Sequence, residues 1–235
     1  MNFSKSNTYD LNFVKTHLMG PNSMKLLEEL TNSLTLHEGM RVLDLGCGQG
    51  LTSIFLAKEY GVTVFATDLW ISATDNLTRF RQMGFESKII PIHAEAHELP
   101  FADEYFDVAI SVDAYHYFGI DEFYLSKHLA PLVKRDGQIA IAVPGLQNEF
   151  ISGVPEELKP YWTDDMNFHT HQWWNDLWEK SGAVQIKEHK EMECFNEAWD
   201  DWLSCDNDFA RHDIDMLKAD NGNYFNLVSI TATKK

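Results

Sequence analysis

Residues 42–50, Val-Leu-Asp-Leu-Gly-Cys-Gly-Gln-Gly, place an acid, Asp44, inside a short apolar run and then glycines at every second position, Gly46, Gly48 and Gly50. An apolar run, a glycine turn and a helical pattern in succession read as strand, tight turn and helix start. Glycine is needed there because a side chain would keep the backbone away from a ligand, and because the turn requires positive φ. The helix after the turn offers free N–H groups and the positive end of its dipole, so the element is expected to cradle a nucleotide. A dinucleotide fold wants G-x-G-x-x-G, whereas here the glycines alternate and position 51 is Leu, which disfavours a hydride-transferring dehydrogenase. A second apolar run ends in Asp68, about twenty residues further on, where a carboxylate can accept from both hydroxyls of a ribose. Leu69 and Trp70 follow and suit either an adenine face or the core.

Asp-x-Gly-x-Gly-x-Gly at 44–50 resembles motif I of the Rossmann-like, class I S-adenosylmethionine (SAM) methyltransferases, in the branch that includes the ubiquinone/menaquinone-biosynthesis type. Two later stretches carry the same resemblance. Leu99-Pro100-Phe101 is similar to the end of the family's Asp-Ala-x-x-Leu-Pro-Phe segment, which puts Glu95 in the place of the adenine-binding acid and Ala96 beside it. Residues 106–113, Phe-Asp-Val-Ala-Ile-Ser-Val-Asp, resemble motif IV. The resemblance covers about the first 145 residues and implies SAM as cofactor, with Asp44, Gly46, Cys47, Gly48, Gly50, Asp68, Leu69, Glu95, Ala96 and Ser111 around it. Ser111, Val112 and Asp113 would face the methionine part, and Asp113, Tyr115, Tyr117 and Trp162 would line the acceptor side. Many members of the family carry a histidine near position 116, which makes His116 the candidate general base or acceptor-orienting group. The aromatic residues around it would admit a small or cationic acceptor. Glu95 departs from the commoner Asp, and Arg135-Asp136 stand where the family's Leu-Lys-Pro-Gly-Gly turn has Pro. An N-terminal segment lies across the cofactor and substrate mouth in this family; the one here contains His17, which reads equally as a packing residue.

The elements that must position these groups alternate between strand and helix, which indicates α/β architecture with a parallel sheet. Two amphipathic helices are expected at 9–19 and 24–34, separated by Gly20-Pro21, within an N-terminal helical segment 1–38. Strands are expected at 40–45, 62–67, 88–92, 106–113 and 139–143, with helices at 51–60, 71–83 and 121–130 between them. A Trp-rich helix after His169 and His171, then strands at 184–190 and 224–233, complete the pattern. The expected fold is a Rossmann-like, doubly wound, seven-stranded, mostly parallel sheet with an antiparallel last strand, read as a single domain over 1–235 with its cofactor-binding core at 39–145. Two aromatic segments, 145–168 and 191–222, fall outside the alternation and would form a cap over the site or, in a homodimer, a subunit surface.

Composition bounds the partners. The chain has 235 residues, 19 basic against 36 acidic, and a formal net charge of -17, so phosphate backbones and anionic membranes are repelled and a small-molecule acceptor is expected. The densest basic group, Arg79, Arg81 and Lys88, reads as the solvated face of a helix. Three cysteines at 47, 194 and 205 are too few and too far apart for a disulfide framework or a Cys-x-x-Cys metal site, and a reducing cytoplasm fits them best. Neither a signal-peptide core nor an apolar run long enough to span a bilayer is found. His93 and His97 straddle Glu95 without a further ligand at metal spacing, so no metal is expected. Two rival functions remain: methylation of a metalloid or thiol using Cys194 and Cys205, and a SAM-binding protein without catalytic activity.

Overall fold

The computed structural model describes residues 3–235; Met1 and Asn2, the first residues of the expected N-terminal segment, lie outside it. Seven strands form one sheet: β1 (Arg41–Leu45), β2 (Thr63–Asp68), β3 (Ile89–His93), β4 (Phe106–Val112), β5 (Val133–Leu146), β6 (Val184–Glu191) and β7 (Phe225–Lys234). Their order across the sheet is β3-β2-β1-β4-β5-β7-β6. Pairing is parallel through β5, and β7 runs antiparallel to both β5 and β6. The sheet order reverses between β1 and β4, so a crevice opens at their carboxyl ends.

The central strands are almost wholly apolar because both faces of a parallel sheet are covered. Successive residues point to opposite faces, which divides the core in two. Val42, Val108, Ile110 and Val112 pack with helices α2 (Ser23–Leu30) and α3 (Leu51–Tyr60) on one face. Leu43, Leu45, Ala109, Ile139 and Ile141 pack on the other face with Trp174 and Trp178 of helix α5 (His171–Ser181). The short helix α1 (Leu11–His17) precedes α2, and α4 (Ala73–Gln82) joins β2 to β3. Helix ends follow side-chain chemistry: Asn22 Oδ1 accepts from Met24 N, Ser72 accepts from Asp75 N, Thr170 accepts from Trp173 N, and Gly61 and Gly182 close α3 and α5 in the left-handed conformation.

Two expectations are corrected. The helix expected at 121–130 is a single wide turn over Leu125–Leu129 followed by a 3-10 turn over Ala130–Leu132, because Pro131 has no N–H to give the carbonyl four residues back. The fifth strand is fourteen residues long, not five. What reads as a turn at 132–138 is a bulge inside it, where Phe106 faces Val133 but Val108 faces Gln138 and Asp136 takes φ 61°. Asp107 fixes this bulge by pairing with Lys134 and accepting from Arg41 N at 2.7 Å. Pro144 does not end the strand: Ala142 O accepts from Asp113 N, so residues 142, 144 and 146 turn their backbone polar groups toward the β4 side, and at Pro144 β4 has already stopped. The segment 191–222, whose sequence suits a helical run as far as Lys218, holds two helices, α6 (Phe195–Leu203) and α7 (Asp208–Asp220). No helix among the described residues is long and apolar enough to cross a membrane.

Candidate functional site

A cavity of about 270 Å³ occupies the crevice at the carboxyl ends of β1, β2 and β4. Six stretches wall it: the glycine turn 45–49, Leu51 and Thr52 at the start of α3, the β2 end 67–70, the segment 94–97 after β3, Val112, Asp113, Ala114, Tyr117 and Phe118 after β4, and residues of 17–23 from the link between α1 and α2. Gly46, Cys47, Gly48, Asp68, Leu69, Glu95, Ala96, Asp113 and Tyr117 of the expected site all lie on its wall.

The glycine turn is stitched to the neighbouring strand. Thr67 O accepts from Gly46 N at 2.8 Å and Cys47 N at 3.1 Å, Asp68 Oδ2 accepts from Gly48 N at 2.8 Å, and Cys47 O accepts from Gly50 N at 2.9 Å. These N–H groups are therefore not free to bind phosphate, contrary to the open cradle expected from the glycines. The arrangement suits a ligand that brings a nucleoside without phosphates. Gly46 sits at φ 75°, and a Cβ there would overlap that of Ala114. Gly50 caps α3 in the left-handed conformation with Phe80 behind it, off the cavity wall.

Two acids meet under this turn. Asp44 is fully buried; its Oδ2 accepts from Thr52 Oγ1 at 2.6 Å and Ser53 Oγ at 2.5 Å, while its Oδ1 has no partner. Burial pushes its carboxyl up to about 6, the two hydroxyls opposing. An orphaned carboxylate oxygen beneath the turn fits the ammonium of an amino-acid moiety such as that of SAM. Asp68 is more fully used: Oδ1 accepts from Trp70 N at 2.7 Å and Ile71 N at 2.8 Å, and Oδ2 from Gly48 N. A carboxylate offers about four lone-pair sites, so one remains. A grip on both ribose hydroxyls needs one of those N–H groups to let go, which narrows the bidentate expectation to a single contact.

Glu95 turns back on its own segment, accepting from His97 N at 2.8 Å and pairing with His97 Nδ1 at 2.8 Å. Despite desolvation, these bonds hold it below the usual carboxylate range. Leu69 and Trp70 face this segment across the cavity, half to two-thirds exposed, as an adenine slot would require.

The wall after β4 has the opposite character. Asp113 adopts φ 55°, uncommon for a residue with a side chain, and its carboxylate has no hydrogen-bond partner among the described residues. Burial and, secondarily, Asp213 of α7 push it well above the usual carboxylate range. Tyr117 projects into the cavity edge-on to Trp70, 5.2 Å between centroids. Ser111 is buried behind the wall with its Oγ unpartnered.

Besides Asp44, Gly50 and Ser111, three more expected residues are not on the cavity wall: Tyr115, His116 and Trp162. Residues 115–117 form a 3-10 turn, which directs Tyr117 outward and Tyr115 inward. Tyr115 is fully buried among Tyr124, Trp174 and Trp178. His116 is 2% exposed, packed on Tyr117 and Phe168, and burial pushes its imidazole down to about 3. Trp162 is held by Phe150, Phe168 and Phe225. Neither 145–168 nor 191–222 contributes a lining residue. The cover comes instead from His17, Met19, Gly20, Pro21 and Ser23. Gly20-Pro21 reads in sequence as a mere helix breaker, yet a Cβ on Gly20 would overlap Asp113 Oδ2, so the glycine is there for close approach. Cys194 and Cys205 lie off the wall, Cys194 buried where Glu29 accepts from its N–H, and Cys205 against Lys15 O. Among the described residues no group of three or more His, Cys, Asp or Glu is placed to hold a metal.

With the geometry in place, comparison with known proteins becomes informative. Residues 42–137 match the family model described as a methyltransferase domain. Methyltransferase GfsG of Streptomyces halstedii is 29% identical over 136 residues, 56% of this chain and 49% of that protein. The chain spans about half the length, or less, of the curated relatives it matches first. Among solved structures, geranyl diphosphate C-methyltransferase of Streptomyces coelicolor, in complex with S-adenosyl-L-homocysteine, aligns at TM-score 0.74 with 14% identity, covering 91% of this chain and 78% of its own. Phosphoethanolamine N-methyltransferase 2 of Haemonchus contortus, in complex with SAM, aligns at 0.74 with 18% identity, covering 100% and 60%. At such identities these structures share the fold. The family match covers residues 42–137, less than half of the chain, and carries nothing specific to the quinone-biosynthesis branch.

Proposed function

We propose that this chain, whose residues 42–137 match the family model of a methyltransferase domain, is a Rossmann-like, SAM-dependent enzyme that transfers a methyl group from SAM to a small-molecule acceptor. The observation that carries the reading is the convergence on one cavity of the stitched glycine turn, Asp68 with one free lone-pair site, and the apolar Leu69 and Ala96, with the orphaned Asp44 Oδ1 buried just behind the turn. A phosphate-bearing dinucleotide finds no free N–H on Gly46, Cys47, Gly48 or Gly50.

When bound, SAM supplies a methyl already activated by the sulfonium charge. The residues here have to hold an acceptor in line with it and keep water out. Asp44 would take the ammonium end and Asp68 one ribose hydroxyl. Residues 17–23, clamped onto Asp113, would cover the cavity. Segment 191–222 would brace that cover, supported by the bonds from Asn22 and Lys25 to Asp201. Three free cysteines support a reducing compartment, and the net charge of -17 supports an acceptor that is not a polyanion.

Titration calorimetry with SAM and, separately, NAD tests the reading. Saturable SAM binding with no heat from NAD is expected, followed by release of S-adenosylhomocysteine when an acceptor is present. NAD binding in place of SAM would sink the proposal; SAM binding without turnover of any acceptor would favour the non-catalytic reading.

A further inference from the structure

Resting on that function, we infer that the acceptor is an amine with an apolar body and no anionic group, its nitrogen held by the Asp113 carboxylate between Tyr117 and Trp70. The cavity wall carries three carboxylates. Glu95 is occupied by His97 and Asp68 by three backbone N–H groups, which leaves Asp113 as the one with no partner among the described residues. Its left-handed backbone costs energy that a plain wall position would not retain, and Gly20 is kept small to let the carboxylate stand where it does. The surroundings raise the local negative potential: Asp165 and Asp213 act on Tyr117 together with Asp113. No Lys or Arg lines the cavity among the described residues, so an acceptor carboxylate or phosphate would meet three acids and, on the basic side, only the imidazoles of His17 and His97, the latter already paired with Glu95. The exposed part of the wall is apolar, with Met19, Leu69, Trp70 and Tyr117 between two-fifths and two-thirds exposed. Aromatic faces beside a carboxylate favour a cation, and an apolar rim favours an apolar body.

The chemistry balances with the groups present. At neutral pH the amine enters as an ammonium and hands a proton to Asp113, whose desolvated carboxylate accepts it more readily than an exposed one. The freed lone pair on nitrogen forms the C–N bond as the methyl C–S bond breaks and its electron pair goes to sulfur. The methylated product leaves as an ammonium and Asp113 returns its proton to solvent.

Two series of probes test this, phenethyl and n-octyl, each with an amine, a hydroxyl or a thiol, together with phenylalanine as the amine that adds a carboxylate. Turnover is read as S-adenosylhomocysteine, and binding by calorimetry on the protein loaded with S-adenosylhomocysteine. The amines are expected to bind and turn over roughly 10- to 100-fold better than the hydroxyl, thiol and phenylalanine probes. Asp113→Asn, which tolerates the left-handed backbone, should remove that preference while SAM affinity stays within about twofold. Gly20→Ala, which displaces the carboxylate without changing its charge, should lower amine turnover by a larger factor than it lowers SAM affinity, with the preference for amines reduced. Equal handling of amine and alcohol, better handling of phenylalanine, or no amine binding overturns the inference. A parallel loss of SAM affinity in Asp113→Asn also overturns it, by assigning the carboxylate to the cofactor. Absence of SAM binding by the parent protein would instead remove the function on which the inference rests.

Discussion

The two walls of the cavity solve opposite problems. On the β1–β2 side the backbone donors are committed: Gly46, Cys47 and Gly48 donate to Thr67 O and Asp68, and Asp68 accepts three backbone N–H groups, leaving one of its lone-pair sites and the buried Asp44 Oδ1. On the β4 side Asp113 stands without a partner in a strained conformation beside half-exposed aromatic rings. The first wall is built before any ligand arrives, and the second is left incomplete for one. Preorganisation suits a cofactor that is always the same, whereas an unsatisfied carboxylate gives discrimination, because a wrong acceptor leaves it unpaired.

The largest way to break this contrast is Asp68→Ala. It strips three donors of their acceptor at once, and each buried donor left unpaired costs about 1–3 kcal/mol. A loss of roughly 3–5 kcal/mol in unfolding free energy is expected, with SAM affinity falling more than about 100-fold. Chemical denaturation and calorimetry would measure both. If the variant keeps its stability and loses only SAM affinity, Asp68 is a ligand contact and not the rivet between turn and strand.

His116 sharpens the contrast from the other side. Its Nδ1 is buried without a partner, and burial pushes the imidazole down to about 3, Asp165 opposing. Below pH 6.5 the unfolded chain takes up a proton that the folded chain refuses, so stability falls as pH drops from 6.5 toward 3. From pH 7 to pH 5 that loss is about 2 kcal/mol. His116→Phe should flatten this acid limb in denaturation at the two pH values and leave methyl transfer within about threefold. A collapse of turnover with SAM binding intact would restore His116 to the chemistry.

What the sequence discloses follows the same division. Glycine spacing, strand-end acids and helix caps are backbone demands, so β1, the turn at 46–50, α3 from Leu51 to Tyr60 and Asp68 are readable locally. Asp44 is readable as an acid, but its bonds to Thr52 and Ser53 emerge only once α3 is laid on β1. On the acceptor side the 3-10 turn at 115–117 decides which ring meets the cavity, and residue type alone does not reveal that Tyr117 faces out while Tyr115 and His116 face in. Aromatic content misleads for the same reason: Trp162, Trp174, Trp178 and Trp202 are packing residues. Gly20 is significant only through Asp113, ninety-three positions away in sequence and adjacent in space.

The smallest expected effect concerns how the cover is held. Segment 17–23 lines the cavity, and α6 grips it from behind: Asp201 Oδ2 accepts from Asn22 Nδ2 and pairs with Lys25 Nζ, both at 2.7 Å, while Asn22 N donates to Ala198 O. Glu29 of α2 returns the support by accepting from Glu193 N and Cys194 N at the start of α6. The Lys25–Asp201 pair is partly screened, at 11% and 20% exposure, so Asp201→Ala should cost only about 1 kcal/mol. Yet that cost falls on the cover. If the insertion acts as its brace, SAM affinity should fall roughly three- to fivefold with the unfolding midpoint lower by a few degrees, a split that 1 kcal/mol permits. If 191–222 instead serves as a subunit surface, the same substitution should leave SAM affinity alone and make the midpoint more dependent on protein concentration. Calorimetry and thermal unfolding at two concentrations separate the two, because a brace couples α6 to the cavity within one chain and a subunit surface does not.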